Sequence, residues 1–311
     1  MRTVAVIGAA AGDCVLSVAR MPRSGEDIAA HDHGWQIGGC AFNVLRALAR
    51  LQLPIINGIR VGNGQWGQRV RQALSELGVS PFFVSETQDN GWCFALTEPN
   101  GERTFISIAG CEEEWNREEL QTLALPNDSI IYASGYELGC LQGEALQQWL
   151  LNDCPTQTLV LDLGPRLAAL PQNFLQQLPA NRTLLTVNRD EARFLCGEGD
   201  LVRLSAEYAY RRGITLIVRL DSQGAWLCQP NQQPLFVPAY QVAVVDTIGA
   251  GDAHAAGVLA GLSQGWSLRD CVDFGNQVAA IVVSKQGPAG APTLSEINQS
   301  ALSQAIPETF E

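Results

Sequence analysis

Short apolar runs alternate with segments of helical periodicity along most of this 311-residue chain. The apolar runs have the length of buried strands and occupy residues 3–7, 55–60, 129–133, 158–162, 182–186 and 214–219. Apolar positions recur at helical spacing in residues 42–51, 67–77, 253–262 and 268–284. This alternation predicts successive strand–helix units, and therefore an α/β fold with a mostly parallel central sheet flanked by helices.

Two segments interrupt the alternation. Residues 15–37 and 91–108 have the pattern of short strands joined by turns, and Pro99-Asn100-Gly101 is a hairpin-turn signal. They lie far apart in the chain, but they could pair into one small sheet separate from the central one. The glycines after the first apolar run do not have G-x-G-x-x-G spacing, which disfavours a dinucleotide-dependent dehydrogenase.

A glycine-rich turn carries the clearest chemical signal. The apolar run at 242–245 predicts a strand that leads into Asp246-Thr247-Ile248-Gly249-Ala250-Gly251-Asp252, and helical spacing follows. At such a strand-to-helix turn, unpaired backbone N–H groups and the helix dipole favour an anion, and small residues let a phosphate approach. A carboxylate at position 252 suits a base that takes a proton from an attacking hydroxyl. The alternative is an ordinary carboxylate in the first turn of a helix.

Two signatures together resemble those of a known family. Residues 246–252, followed by Gly257, are similar to the C-terminal signature of ribokinase-like carbohydrate kinases of the phosphofructokinase-B type. About 200 residues earlier, Gly38-Gly39-Cys40-Ala41-Phe42-Asn43 resembles the paired-glycine signature of that family. The resemblance extends from residue 4 to about residue 294. It implies a single ribokinase-like domain over residues 1–311, with a small β-sheet lid formed by about 13–38 and 91–109.

The resemblance implies an ATP-dependent kinase that transfers the γ-phosphoryl group to a hydroxyl of a sugar. It assigns the role of catalytic base to Asp252 and the role of an anion hole to the backbone amides of Gly249, Ala250 and Gly251. A nucleoside kinase of the adenosine or pseudouridine type is the alternative within the family. The alternative without catalysis is a silent regulator that binds a sugar or nucleotide, and the retention of Asp252 and Glu191 disfavours it.

Candidate substrate residues follow the first strands and the paired glycines. Asp13 can accept two hydroxyl hydrogen bonds at once, which suits a polyol, although a turn aspartate is the alternative. The resemblance assigns Asp13 and Asn43 to the sugar, and it lets the sugar approach the backbone at Gly38 and Gly39. Two further candidates are predicted to line the substrate pocket: Glu137 and Arg166. A surface position is the commoner fate of an arginine such as Arg166.

Candidate nucleotide and metal residues lie in the C-terminal half. Asn188-Arg189-Asp190-Glu191 resembles the N-x-x-E element of the family, which places Asn188 near the transferring phosphate and Glu191 behind water bound to Mg²⁺. A simple helix cap is the alternative for Asn188. The resemblance also assigns residues to the nucleotide: Arg219, Gly224, Thr247 and Asn276. By similarity to potassium-activated relatives, Asp246 would help to hold a monovalent cation against the turn, and Ile248 would contribute its carbonyl.

The sequence departs from the family pattern in the loop at 219–224. Arg219 stands where the family usually has threonine or lysine, and Asp221 stands where it usually has glycine. Arg219 can still pair with a phosphate. Asp221 calls the backbone shape of this loop into question.

Composition narrows the function classes. The net charge of −12 argues against nucleic acid or an anionic membrane surface as the main partner. Lys285 is the only lysine, and no G-x-x-x-x-G-K-[ST] motif occurs, so phosphate charge must be handled by amides, arginine and metal. Nine cysteines without a C-x-x-C motif predict free thiols and a cytoplasmic location. Some relatives dimerise through the edge of the lid sheet, so the resemblance allows a homodimer.

Overall fold

The computed structural model describes residues 1–287 and 290–300, and within them the chain forms thirteen strands and eleven α-helices. The strands are β1 (Val4–Gly8), β2 (Ala11–Val18), β3 (Ala30–Gly38), β4 (Ile55–Val61), β5 (Phe83–Val84), β6 (Trp92–Thr97), β7 (Arg103–Ile108), β8 (Ile130–Ser134), β9 (Thr158–Asp162), β10 (Thr183–Val187), β11 (Thr215–Arg219), β12 (Gly224–Cys228) and β13 (Leu235–Pro238). The helices are α1 (Cys40–Arg50), α2 (Gln65–Glu76), α3 (Arg117–Leu120), α4 (Gly135–Leu138), α5 (Gly143–Asn152), α6 (Gln172–Gln177), α7 (Arg189–Cys196), α8 (Leu201–Arg212), α9 (Ala250–Gln264), α10 (Leu268–Val283) and α11 (Leu294–Gln299).

Nine strands form the central sheet, in the order β13-β12-β11-β10-β9-β8-β1-β4-β5. Every neighbouring pair from β11 to β5 is parallel, and only β12 and β13 join antiparallel at one edge. The predicted α/β fold with a mostly parallel sheet is therefore confirmed. The two antiparallel edge strands and the two-residue β5 were not predicted, because their runs are only two to five residues long.

The two segments that interrupt the alternation pair with each other. They form a second sheet in the order β3-β2-β6-β7, in which the central β2–β6 pair is parallel and the outer pairs are antiparallel. This confirms the predicted small separate sheet. Its action as a lid and the single-domain boundary at 1–311 stay predictions, and residues 288–289 and 301–311 of that domain lie outside the described residues.

Hydrophobic cores cover both faces of the central sheet. Alternate residues of β1 divide between them, with Val4 and Val6 on one side and Ala5 and Ile7 on the other. The first side packs against α1, α9 and α10, and the second against α5, α6 and α8. Among the described residues, none of the helices combines the length and apolar composition needed to cross a membrane.

The glycine-rich turn does not follow a strand, so that prediction was wrong. Residues 242–245 form an irregular segment, and the side chains of Val244 and Val245 are exposed. The backbone N–H groups of Val245 and Asp246 both donate to the Val283 carbonyl at the end of α10. Because these bonds go to a helix end, the segment cannot join the sheet. The helix expected after the turn is present as α9.

Candidate active site

The candidate site lies where the parallel strands of the central sheet end. Ser134, Asp162 and Arg219 are the last residues of β8, β9 and β11, and Asn188 follows β10 directly. The carboxyl ends of parallel strands meet at one edge, which is where open α/β sheets bind ligands. The N-terminus of α9 reaches the same edge, because Arg219 lies beside Gly251.

The turn before α9 presents backbone N–H groups. Gly249 caps the helix with a φ of 75°, a left-handed conformation that glycine adopts readily, and it has no side chain to accept from the helix. Ala253 is the first residue whose amide makes the helical bond, to Gly249 O at 2.8 Å. The amides of Ala250, Gly251 and Asp252 therefore precede the regular ladder, and that of Ala250 makes only a 3.3 Å turn bond to Thr247 O. This geometry can hold an anion.

Asp252 meets the paired-glycine signature across the site. The Asn43 side-chain amide donates to Asp252 Oδ2 at 2.8 Å, although the two residues are 209 positions apart. Arg46 donates to Asn43 Oδ1 at 3.4 Å, which turns the NH₂ group of Asn43 toward the carboxylate. Burial raises the pKa of Asp252 to about 6, even though the bonds from Asn43 and Cys40 favour the charged form. This value allows the carboxylate to gain a proton near neutral pH.

The paired glycines shape the wall opposite α9. Gly39 has a φ of 99°, and a Cβ atom there would lie 2.9 Å from the Ala9 carbonyl oxygen. That carbonyl accepts from the Phe42 amide at 3.2 Å at the start of α1. At Gly38 a Cβ atom would lie 2.5 Å from an Asp13 carboxylate oxygen. Both glycines are therefore required for the loop to lie against Asp13 and the end of β1.

Asp13 lies on the face of the small sheet that borders this wall. It pairs in register with Gln36 on β3 and Cys93 on β6, so the three side chains share a face. Cys93 donates to Asp13 Oδ1 at 3.0 Å, and Gln36 also bonds to the carboxylate. Burial raises the pKa of Asp13 above its ordinary value despite these bonds.

Arg219 forms the centre of a buried charge cluster. Its guanidinium group donates to both oxygens of Asp162, at 2.8 and 3.1 Å, and lies 3.8 Å from Glu191. A Cβ atom at Gly251 would lie 2.8 Å from Arg219 Nη1, so the anion-binding turn rests against this group. Burial alone would lower the pKa of Arg219, but Asp162 outweighs burial and raises it, so the group stays charged.

Asn188 and Glu191 cap each other at the start of α7. The Glu191 carboxylate accepts from the Asn188 backbone and side-chain N–H groups, both at 2.8 Å, and Asn188 Oδ1 accepts from the Glu191 amide at 2.9 Å. The predicted capping by Asn188 is confirmed. Two of the roughly four acceptor directions of the Glu191 carboxylate stay available for water bound to a metal.

The remaining nucleotide candidates differ in exposure. Asp221 adopts a φ of 52°, so it takes the left-handed shape that glycine would give this loop. At Gly224, a Cβ atom would lie 2.2 Å from the Val237 carbonyl oxygen. Thr247 is exposed, whereas Asn276 is buried and donates to two carbonyls of β13 at 3.1 Å. Asn276 therefore joins α10 to the edge of the sheet, and its contact with a nucleotide stays a prediction.

Glu137 and Arg166 occupy different environments. Glu137 is buried, and its carboxylate accepts from the amides of Ala9 at 2.9 Å and Ser134 at 3.1 Å, which ties β1 to β8. Arg166 is exposed, and its guanidinium carbon lies 5.7 Å from the centre of the Tyr136 ring. Their contacts with substrate stay predictions.

Sequence reasoning missed several residues around the site. Asp162 was not predicted as a site residue, although its place at the end of a parallel strand was a usable signal. Arg103, the only basic residue in 92–108, lies on β7 and pairs with Asp246 at 2.9 Å. Cys93 gave no signal, because it contacts Asp13, which is 80 positions away in the chain. Arg46 gave none either, although it contacts the nearby Asn43, because an arginine in a helix usually lies on the surface.

Comparison with known proteins agrees with this geometry. The family model described as pfkB family carbohydrate kinase matches residues 1–294. An uncharacterized sugar kinase of Escherichia coli, YegV, is 39% identical over 300 residues, covering 95% of this chain and 93% of that protein. The ribokinase of Bacillus subtilis is 24% identical, covering 96% and 99%. The structure of Thermotoga maritima ribokinase superimposes with a TM-score of 0.81 at 20% identity, covering 96% and 98%.

Proposed function

Because the chain belongs to the pfkB family of carbohydrate kinases, we propose that Asp252 activates a sugar hydroxyl held by Asp13 and Asn43. The enzyme is an ATP-dependent carbohydrate kinase. The observation that carries the proposed mechanism is the position of Asp252. Its carboxylate lies in the first turn of α9, bonds to Asn43 at 2.8 Å, and has a pKa of about 6.

The proposed chemistry is a direct phosphoryl transfer. The proton of the sugar hydroxyl passes to Asp252 as the hydroxyl oxygen bonds to the γ-phosphorus of ATP, and the bond from that phosphorus to ADP breaks. The backbone amides of Gly249, Ala250 and Gly251 hold the charge on the transferring group. Of these three residues, Gly251 lies beside the guanidinium group of Arg219.

The described part of the chain offers a suitable position for Mg²⁺ but no complete set of direct ligands. Within the described ranges, no group of three or more His, Cys, Asp and Glu side chains is arranged to hold a metal. Glu191 fits a water-mediated role, since its carboxylate is buried and keeps acceptor capacity after capping α7. Bound with ATP, Mg²⁺ neutralises phosphate charge. Glu191 would hold its waters, while Asn188 would lie near the phosphate.

The small sheet is suited to cover this site. Asp13 belongs to it, and the sheet carries Arg103 to the turn before α9. A lid that closes over the sugar excludes water, which otherwise competes as the acceptor of the phosphoryl group. We therefore assign residues of β2, β3, β6 and β7 to the lid of a single domain.

The aromatic residues of the lid support a sugar over a nucleoside. Trp66 of α2 stacks on the lid residue Trp92 with ring centres 6.2 Å apart, and the guanidinium carbon of Arg69, also in α2, lies 3.4 Å from the centre of the Trp35 ring. One face of each lid tryptophan is therefore covered by α2, which leaves less aromatic surface for a base. The aminoimidazole riboside kinase of Salmonella enterica, whose fold is similar, has been solved in complex with aminoimidazole riboside and an ATP analogue, so the nucleoside alternative is retained in the test below.

A homodimer through the lid edge is part of the proposal. Strand β7 is an edge strand, and it exposes Phe105, Ile106 and Ile108. Such apolar side chains on an open edge are suited to pair with a second copy. All nine cysteines are free, which supports the proposed cytoplasmic location.

The proposal is tested by an acceptor panel. ADP release is measured with ATP and Mg²⁺ across pentoses, hexoses, ketoses and nucleosides, for the wild type, Asp252→Asn and the control Asp128→Asn, an exposed residue before β8 at the opposite edge of the sheet. We expect one sugar class to be turned over, with the rate lower by about 10²–10⁴-fold in Asp252→Asn and unchanged in Asp128→Asn. Turnover of nucleosides alone would select the nucleoside alternative. Sugar or ATP binding without turnover of any acceptor would select the silent regulator.

A further inference from the structure

The carboxylate of Asp246 is saturated with N–H donors. Oδ1 accepts from the Ile248 amide at 2.9 Å and from Arg103 Nη1 at 2.9 Å. Oδ2 accepts from the Gly287 amide at 3.1 Å and from Gln286 Nε2 at 3.2 Å. A carboxylate has about four acceptor directions, so these four donors use its capacity.

Arg103 brings a positive charge from the lid to this carboxylate. It is the first residue of β7, on the far side of the hairpin turn from Thr97. Its side chain is 25% exposed and that of Asp246 is 2% exposed, so the pair is largely shielded from solvent. An ion pair in such surroundings is screened less than one on the open surface.

These contacts do not suit a monovalent cation at Asp246. The resemblance to potassium-activated kinases assigns such an ion to the Asp246 carboxylate. In this structure, however, each oxygen of that carboxylate already has two N–H donors. A cation would have to displace one of them and would meet the guanidinium group of Arg103 as a like charge. The positive charge beside the anion-binding turn is already provided by the protein.

We propose that Arg103 takes the place of a monovalent cation at Asp246, so that the lid itself orders the turn before α9. The turn is then fully held only when the β6–β7 hairpin lies over the site. Potassium does not contribute to its order. The expected effect on turnover rests on the proposed kinase function, whereas the effect on the turn does not.

Hydrogen–deuterium exchange of the protein without substrate tests the link between lid and turn. Arg103→Gln removes the charge but keeps much of the side chain, Asp246→Asn removes its partner, and Arg20→Gln is the control because Arg20 pairs with Glu26 in an exposed loop. We expect each of the first two variants to speed exchange in β6–β7 and in 246–249 by about tenfold, with no further gain in the double variant. Unchanged exchange in Arg103→Gln, additive effects, or an equal effect of Arg20→Gln would overturn the proposal.

Exchanging the cation tests the replacement itself. In KCl and in an equal concentration of the chloride of a large organic cation, we expect exchange at 246–249 and kcat/KM of the wild type to agree within about twofold. Arg103→Gln leaves Asp246 Oδ1 without its arginine partner, so a potassium ion can bind this oxygen in the variant. Potassium should therefore slow exchange at 246–249 by at least about threefold in Arg103→Gln. A several-fold potassium effect on the wild type, or none on Arg103→Gln, would overturn the proposal. Absence of kinase activity in every salt would count against the proposed function alone, because the exchange readout is independent of it.

Discussion

At the scale of single residues, the reactivity of Asp252 is set by burial and by one amide. Burial raises its pKa, while the bond from Asn43 opposes that rise. The balance leaves a carboxylate that is ionised at neutral pH and still basic enough to accept a proton. Neither effect comes from residues near Asp252 in the sequence.

The rate should therefore depend on pH through Asp252. We expect kcat/KM to be level above about pH 6 and to fall about tenfold per unit below it, because protonated Asp252 cannot act as the base. In Asn43→Ala the acid limb should move to higher pH, since the bond that favours the charged form is lost. A profile measured with a saturating co-substrate checks this. If the acid limb stays at the same pH in Asn43→Ala, the fall in kcat/KM is not caused by protonation of Asp252.

The ionised carboxylate of Asp252 should lower the free energy of unfolding. The pKa of Asp252 is about 6 in the folded protein and 3.8 in the unfolded chain. The stability that the protonated form gives is therefore fully present below pH 3.8 and is lost as the pH rises through 6. Asp252→Asn should raise the free energy of unfolding by roughly 2–3 kcal/mol at about pH 8, and the gain should vanish at about pH 4. Denaturant melts at both values check this. Equal effects at both would show that ionisation is not the cause.

At the scale of elements, the site is assembled from chain turns that must approach each other closely. Gly39 lies against the end of β1, and Gly251 lies against Arg219 at the end of β11. Gly257 does the same between helices, since a Cβ atom there would lie 2.7 Å from the Gly275 Cα. The glycines of both signatures therefore have a packing reason as well as a chemical one.

A matched pair of glycine substitutions tests this close approach. Gly39 and Gly34 both have left-handed φ values, 99° and 87°, but only Gly39 has a neighbour that an added Cβ would strike. Gly34→Ala carries the backbone cost alone, about 1 kcal/mol, whereas Gly39→Ala should lose a further 1–3 kcal/mol or so by thermal unfolding. Equal losses would mean that the contact with Ala9 is unimportant.

The elements that sequence predicted best are those with a strong period. The parallel strands other than β5, and the helices α1, α2, α9 and α10, were predicted to within a few residues, because their apolar faces are continuous. The strand predicted at 242–245 was wrong, since its valines look buried by pattern but their backbone bonds to the end of α10. A local pattern cannot reveal a bond to residue 283.

At the scale of the whole molecule, the two halves of the chain form one site. Helix α1 follows the lid strand β3 early in the chain, and α9 comes about 200 residues later, yet they pack side by side on one face of the central sheet. The small sheet contributes Asp13 and Arg103 to this site. The structure brings Asn43 of one signature to Asp252 of the other, but the family resemblance gave none of the bonds among the site residues. The pairs Arg219–Asp162 and Arg103–Asp246 depend on side chains that differ from the family pattern or lie outside its signatures.

Transfer of an isotopically labelled γ-phosphoryl group from ATP to a sugar tests the central claim most directly. The wild type, Asp252→Asn and Asp128→Asn are incubated with the acceptor that the panel identifies, and the sugar phosphate is detected by mass spectrometry. The account predicts labelled sugar phosphate from the wild type and Asp128→Asn, with the rate of formation in Asp252→Asn lower by about 10²–10⁴-fold. Labelled product formed by Asp252→Asn at the wild-type rate would contradict it.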